Sequence, residues 1–255
     1  MKRVIADAYQ AFRRFGPPQT PLDACTACCM DPALELQMRT LPLRALTREH
    51  FYEYNSAAKS EVQPAAEIQY LLPRLLELIA QGEEVHHSIE LFFDRVGRCS
   101  EGTFDASQRA VLDRFALEHF ANHLNAGRER LLEDPLSILL MFDIGGLDIR
   151  PLLAFWLDSG DLQSTVQYVD ERYWHVSEDG YVTNAFAEGR TWFQQKVRAW
   201  MMDPTNQRVF CDKLLRPEFL ELIDQQPAWG GVPFRTVVDV VFDKLTDQMA
   251  TRSPQ

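Results

Sequence analysis

The stretch Phe234-Arg-Thr-Val-Val-Asp-Val-Val-Phe-Asp-Lys-Leu-Thr-Asp-Gln-Met249 decides the fold class. At ~100° per residue, Phe234, Val237, Val238, Val241, Phe242, Leu245 and Met249 fall on one arc, the mark of a helix that buries one face. An apolar side this continuous needs a second element to cover it.

Upstream, helix-start signals recur. Asp31-Pro32, Asp134-Pro135 and Asp203-Pro204 each put a carboxylate at an N-cap and a proline at the first helical position, where its missing N–H costs nothing. Thr47 precedes an aromatic helical run, and Asp105 with Gln108 has the pattern of a capping box. Gly145-Gly146 reads as a helix stop, with Asp148 capping the next helix. Pro73, inside Tyr70-Leu-Leu-Pro-Arg-Leu-Leu-Glu-Leu78, is expected to kink or restart its helix. The one β signal lies at residues 173–184, where Asp179-Gly180 between β-prone runs predicts at most one small hairpin.

The pattern therefore predicts an all-α protein of stacked antiparallel helices. Leu71–Ile79 and Leu214–Ile223 look alike, which is compatible with a degenerate HEAT-like stack, but two matches set no period. No Gly/Ser-rich or Pro-rich linker divides residues 1–255, so a single α-helical domain is expected.

Composition narrows the function classes. The chain has 255 residues, 46% hydrophobic and 25% charged, enough to bury a substantial core. A net charge of −11 opposes direct binding to a nucleic-acid backbone and favours a basic partner, besides serving solubility. The longest apolar run, Ile138–Phe142, falls far short of the ~20 residues of a membrane helix. Asp7 interrupts what would be the apolar core of a secretory signal, so the expected location is the cytoplasm, with no membrane association. Five cysteines are an odd number, and in a reducing compartment the default is free thiols.

Three of those cysteines sit in Asp23-Ala-Cys-Thr-Ala-Cys-Cys-Met-Asp-Pro32. Cys25 and Cys28 have the spacing from which zinc knuckles are built, with thiolates at about 2.3 Å from the ion. A structural zinc needs four ligands, however, and neither a second Cys-x-x-Cys nor a Cys-x-x-His exists. Cys29 should point away if Cys28 is used, and the favoured reading is that small buried thiols pack the loop against the helix starting at Asp31.

His119 and His123 stand four apart on the apolar arc of the helix that begins near Asp105, close enough to share a ligand. The Glu that a zinc-protease motif places after its first His is missing, and a hydrogen-bonded interior pair is the simpler account. No nucleophile elbow, phosphate loop or dinucleotide fingerprint occurs, so neither a catalytic residue nor a cofactor is assigned.

Two surfaces remain as candidates for binding a protein. Asp239, Asp243 and Asp247 form a row opposite the apolar arc of the last helix, where like charges four apart do not help the helix form. In Tyr168–Trp174, Asp170 and Glu171 stand beside Tyr173 and Trp174, a mixture found at interaction hot spots, although core packing of the aromatic rings competes.

Cys25-Thr-Ala-Cys-Cys29, Leu43-Arg-Ala-Leu-Thr47 running into an aromatic helix, and Tyr70–Leu78 together resemble a group of helical bacterial proteins with a cysteine-rich N-terminal motif. The resemblance covers mainly the first 80 residues. That group has no established activity, so the resemblance assigns no functional residue.

The expectation is a non-enzymatic protein-binding protein: a bacterial immunity protein that occludes a cognate toxin, such as a basic nuclease. The alternative is a metal-binding protein or metal-dependent enzyme using Cys25 and Cys28, or His119 and His123.

Overall fold

The computed structural model describes residues 1–126, 134–228 and 230–252, and over them the protein is all-α. Thirteen α-helices occur among the described residues: α1 (Lys2–Ala11), α2 (Pro32–Thr40), α3 (Arg48–Ser56), α4 (Ala65–Ala80), α5 (Asp94–Gly97), α6 (Ala106–Leu124), α7 (Pro135–Ile144), α8 (Arg150–Asp158), α9 (Leu162–Asp170), α10 (Thr191–Met201), α11 (Pro204–Leu214), α12 (Pro217–Ile223) and α13 (Phe234–Arg252). None is long and apolar enough to cross a membrane.

The helix starts follow the capping chemistry of the sequence. Asp31 accepts from Ala33 N at 2.7 Å, Asp134 from Ser137 N at 2.7 Å, and Asp203 from Thr205 N at 2.7 Å, each one residue ahead of its proline. Asp105 and Gln108 exchange bonds at 2.9 and 3.0 Å before α6. At the start of α3 a histidine takes the place of the usual glutamate, and Thr47 N donates to His50 Nδ1 at 3.1 Å. With Nδ1 accepting, His50 Nε2 donates to Gln37 Oε1 at 2.9 Å.

The chain divides into two compact units, Met1–His119 with Met141–Ile149, and Phe120–Leu140 with Arg150–Gln255. In the first, α4 is buried over most of its surface, with Leu71, Leu72, Leu75, Leu76, Leu78 and Ile79 all inside. Such a helix belongs inside a core. It runs through Pro73 without a restart: one ladder bond is lost, but the burial of the flanking leucines holds the segment helical.

Phe93, Phe115 and Phe142 pack around one another in this unit, with ring centroids 5.3–6.3 Å apart. Beside them the last residue of α5 touches the end of α7 so closely that a Cβ on Gly97 would lie 1.8 Å from the Ile144 carbonyl oxygen. Gly146, at φ +74°, then turns the chain out of α7.

In the second unit, α13 packs chiefly on α11 and also on α9. Phe234, Val237, Val238, Val241 and Leu245 are buried as the periodicity requires, while Phe242 and Met249 sit at the half-buried margins. Trp156, Tyr168, Trp200 and Phe210 form the aromatic centre, the Tyr168 and Phe210 rings lying parallel at 3.5 Å. Lys213 reaches under this cluster to donate to the Leu157 and Ser159 carbonyls at 2.6 and 2.7 Å, and so caps the C-terminus of α8. Burial pushes its ammonium pKa down to about 8.

The expected hairpin shrinks to a single antiparallel bridge between Val176 and Val182 around the Asp179-Gly180 turn. Tyr173, Trp174 and His175, expected in its first strand, belong instead to a π-helical turn, Glu171–His175, that extends α9. Arg172 explains the difference. Its buried guanidinium donates to the Ser177 carbonyl at 3.0 Å, closing the turn from within before any strand can begin.

Gly97→Ala should destabilise the protein by about 1–3 kcal/mol, since the methyl can enter only by displacing backbone. Gly16→Ala, where nothing lies within 4 Å, should leave the denaturation midpoint unchanged in the same urea titration.

Candidate thiol centre

The loop between α1 and α2 is fixed by groups that grip its main chain. Leu22 N donates to Glu35 Oε1 at 2.8 Å, Asp23 N to Glu67 at 3.2 Å, and Asp31 N to Glu53 Oε2 at 2.7 Å. Cys25 N donates to the Ala57 carbonyl at 2.7 Å. The Asp23 side chain accepts from the hydroxyl and the backbone N–H of Ser60, at 2.8 and 3.1 Å, and so ties the loop to the segment after α3.

Beneath the loop, Arg95 is 3% exposed. Its guanidinium donates to the Asp23 carbonyl at 3.1 Å, to Gln63 Oε1 at 2.7 Å and to the Tyr54 carbonyl, and it lies 3.7 Å above the Tyr54 ring. Tyr54 in turn donates to Glu67 at 2.6 Å. Burial pushes the Tyr54 and Glu67 pKa values up, so this tyrosine holds its proton and serves as a donor.

On this cradle sit three sulphurs. Cys25 Sγ lies 3.4 Å from Cys28 Sγ, Cys28 Sγ lies 3.0 Å from Cys29 Sγ, and all three are within 4.8 Å of one another. The expected packing role is overturned: Cys28 and Cys29 are exposed and Cys25 is half-buried. The apolar packing of the loop comes from Leu22, Ala24 and Met30. Nor does Cys29 point away, because Cys29 N and Met30 N both turn back to the Cys25 carbonyl, at 3.3 and 3.0 Å, and that coil brings neighbouring thiols together.

Cys25 and Cys28 are shifted in opposite directions. Backbone N–H groups of Ala27 and Cys28 aim at Cys25 Sγ and, with the Cys28 thiol, lower its pKa. Cys28, hydrogen-bonded to Cys29 and Cys25, is pushed up to about 12. Three hydrogen-bonded sulphurs on one exposed loop suit capture of a thiophilic species. Cys99 and Cys211 lie outside the cluster; burial raises both, Cys99 to about 11.

The other predicted positions are dispersed. His119 stacks on Phe115 at 5.6 Å and meets Phe142 edge-on at 6.1 Å; burial drops its pKa to about 4, as for a ring used in packing. His123 is half-buried. Asp239, Asp243 and Asp247 are all exposed on α13, and Lys244 turns from them to Glu178 at 2.7 Å. Asp170 and Tyr173 are half-buried and Trp174 is exposed, but Glu171 is 1% exposed and withdrawn from any surface.

The Arg95 network leaves no mark in the sequence, because its members come from four separated segments. Equally invisible in the sequence is an open groove of about 590 Å³ lined by Thr47, Arg48, Glu49, Tyr52, Glu53 and Glu84. Glu53 both lines this groove and holds Asp31 N, so the groove adjoins the thiol loop.

Comparison with known proteins finds no matching family model, no matching curated protein and no matching solved structure.

Limiting iodoacetamide at neutral pH should alkylate Cys25 ahead of Cys28, with Cys99 and Cys211 modified last, as read by peptide mass mapping.

Proposed function

We propose that the protein binds a thiophilic metal or metalloid through Cys25, Cys28 and Cys29. The observation that carries this reading is the convergence of three sulphurs on an exposed loop whose backbone is held in place by the protein itself. Soft thiolate ligands select soft acceptors. The bound species is cargo or signal and no structural staple, since a structural zinc needs four ligands and contributes folding energy, whereas this loop is anchored by hydrogen bonds.

Elemental analysis of protein purified without a metal-affinity tag, after incubation with cadmium under reducing conditions, tests the reading. About one equivalent of cadmium with sulphur-to-metal charge-transfer absorption is expected, and none in the Cys25/Cys28/Cys29→Ser triple variant. Equal loading of the variant would refute it.

A second reading is favoured by the exposed row Asp239, Asp243 and Asp247: the protein docks a basic protein partner, as an immunity protein covers a toxin. A pull-down from the native host should then recover one dominant basic partner. Reversing the three charges to lysine should weaken capture and steepen its loss with salt; capture unchanged by the reversal removes this surface.

A further inference from the structure

We infer that the acceptor the three thiols are built for is a trivalent metalloid hydroxide of the arsenite type, taken as a three-coordinate centre by Cys25, Cys28 and Cys29 together. This rests on the thiol-centre reading above and goes further in fixing the coordination number and the chemical class.

The first argument is number. Among the described residues the donor cluster holds three sulphurs and no carboxylate or imidazole to complete a tetrahedron. Zinc in a structural site takes four protein ligands. A trivalent metalloid is satisfied by three and keeps a lone pair where a fourth ligand would stand, a direction that here opens to solvent beside exposed Cys28 and Cys29.

Spacing points the same way. Sulphurs bound to zinc at 2.3 Å lie ~3.8 Å apart along a tetrahedral edge. The Cys25–Cys28 and Cys28–Cys29 separations are 3.4 and 3.0 Å, and the third edge, Cys25–Cys29, lies within 4.8 Å. A pyramidal centre, with bond angles closing toward a right angle, draws its ligands closer than a tetrahedral ion does.

The third argument is proton balance. Arsenic trihydroxide and three thiols give the trithiolate and three waters: three As–O bonds break, three As–S bonds form, and each thiol proton leaves on a departing hydroxide. Arsenic stays trivalent, so no oxidant or reductant is needed. Neutral reactants give a neutral complex, which adds no charge to a loop already flanked by Asp23, Asp31 and Glu53. A divalent cation held by three thiolates would instead leave one net negative charge on that loop.

Anaerobic titration of the reduced full-length chain with arsenite, with Zn(II) and with Cu(I) in separate arms, read by intact mass and ultraviolet absorption, tests the inference. Arsenite should add one arsenic with loss of three hydrogens, and should bind in preference to zinc. Phenylarsine oxide, which uses only two thiols, gives the control for ligand number. In Cys29→Ser, arsenite affinity should fall by more than the ~10–100-fold that loss of an outer-shell partner costs a metal site, while phenylarsine oxide binding is retained. Cys29 is exposed, so an unchanged thermal melt of the variant will confirm that its fold is intact.

Arsenite binding that ignores Cys29→Ser overturns the three-coordinate assignment. Stoichiometric zinc or copper binding that needs the cysteines, with no arsenite bound, overturns the metalloid class and leaves the thiol centre standing. If none of the three binds, both readings fall.

Discussion

The buried guanidinium of Arg95 is the interaction on which the first unit's polar architecture depends. One side chain satisfies the Asp23 carbonyl at the head of the cysteine loop, the Tyr54 carbonyl at α3 and the Gln63 side chain before α4. Carbonyls left buried without donors are costly, and a cation buried without acceptors is more so. Each therefore requires the other. The tyrosine ring beneath the guanidinium adds a cation–π contact, and Glu67 joins Tyr54 to the same loop through Asp23 N. Three segments far apart in the chain are locked to one point.

In the second unit Lys213 works on the same principle. A buried cation stands at the end of α8, where the last carbonyls have no intrahelical partner, and it lies against the Phe210 ring. Arg172 closes the π-helical turn in a related way. In each case a long basic side chain reaches inward to finish a backbone that would otherwise end in unsatisfied oxygen atoms.

How much of this could be read in the sequence follows from the range of the forces involved. Caps at Asp31, Asp105, Asp134 and Asp203 join residues two or three apart, so their pattern is written locally. The apolar arc of α13 is likewise a local periodicity, and its buried residues are those expected. The hairpin failed because Arg172, which looks like a surface residue in a linear reading, is fully buried and makes the preceding turn π-helical. The thiol cluster was half legible. Spacing brings Cys25 and Cys28 together; Cys29 joins through the bonds of Cys29 N and Met30 N to the Cys25 carbonyl, in a loop whose flanks are held by Glu35, Glu53, Glu67 and Ala57 from outside the motif.

The grip on residues 22–31 has a consequence of its own. Leu22, Asp23, Cys25 and Asp31 are held by their main-chain N–H groups, which every amino acid except proline supplies. The scaffold thus fixes the path of this segment while remaining almost indifferent to what Thr26, Ala27, Cys28 and Cys29 carry. Such a segment behaves as an interchangeable insert: its chemistry can be rewritten, by mutation or by an engineer, without renegotiating the fold that presents it.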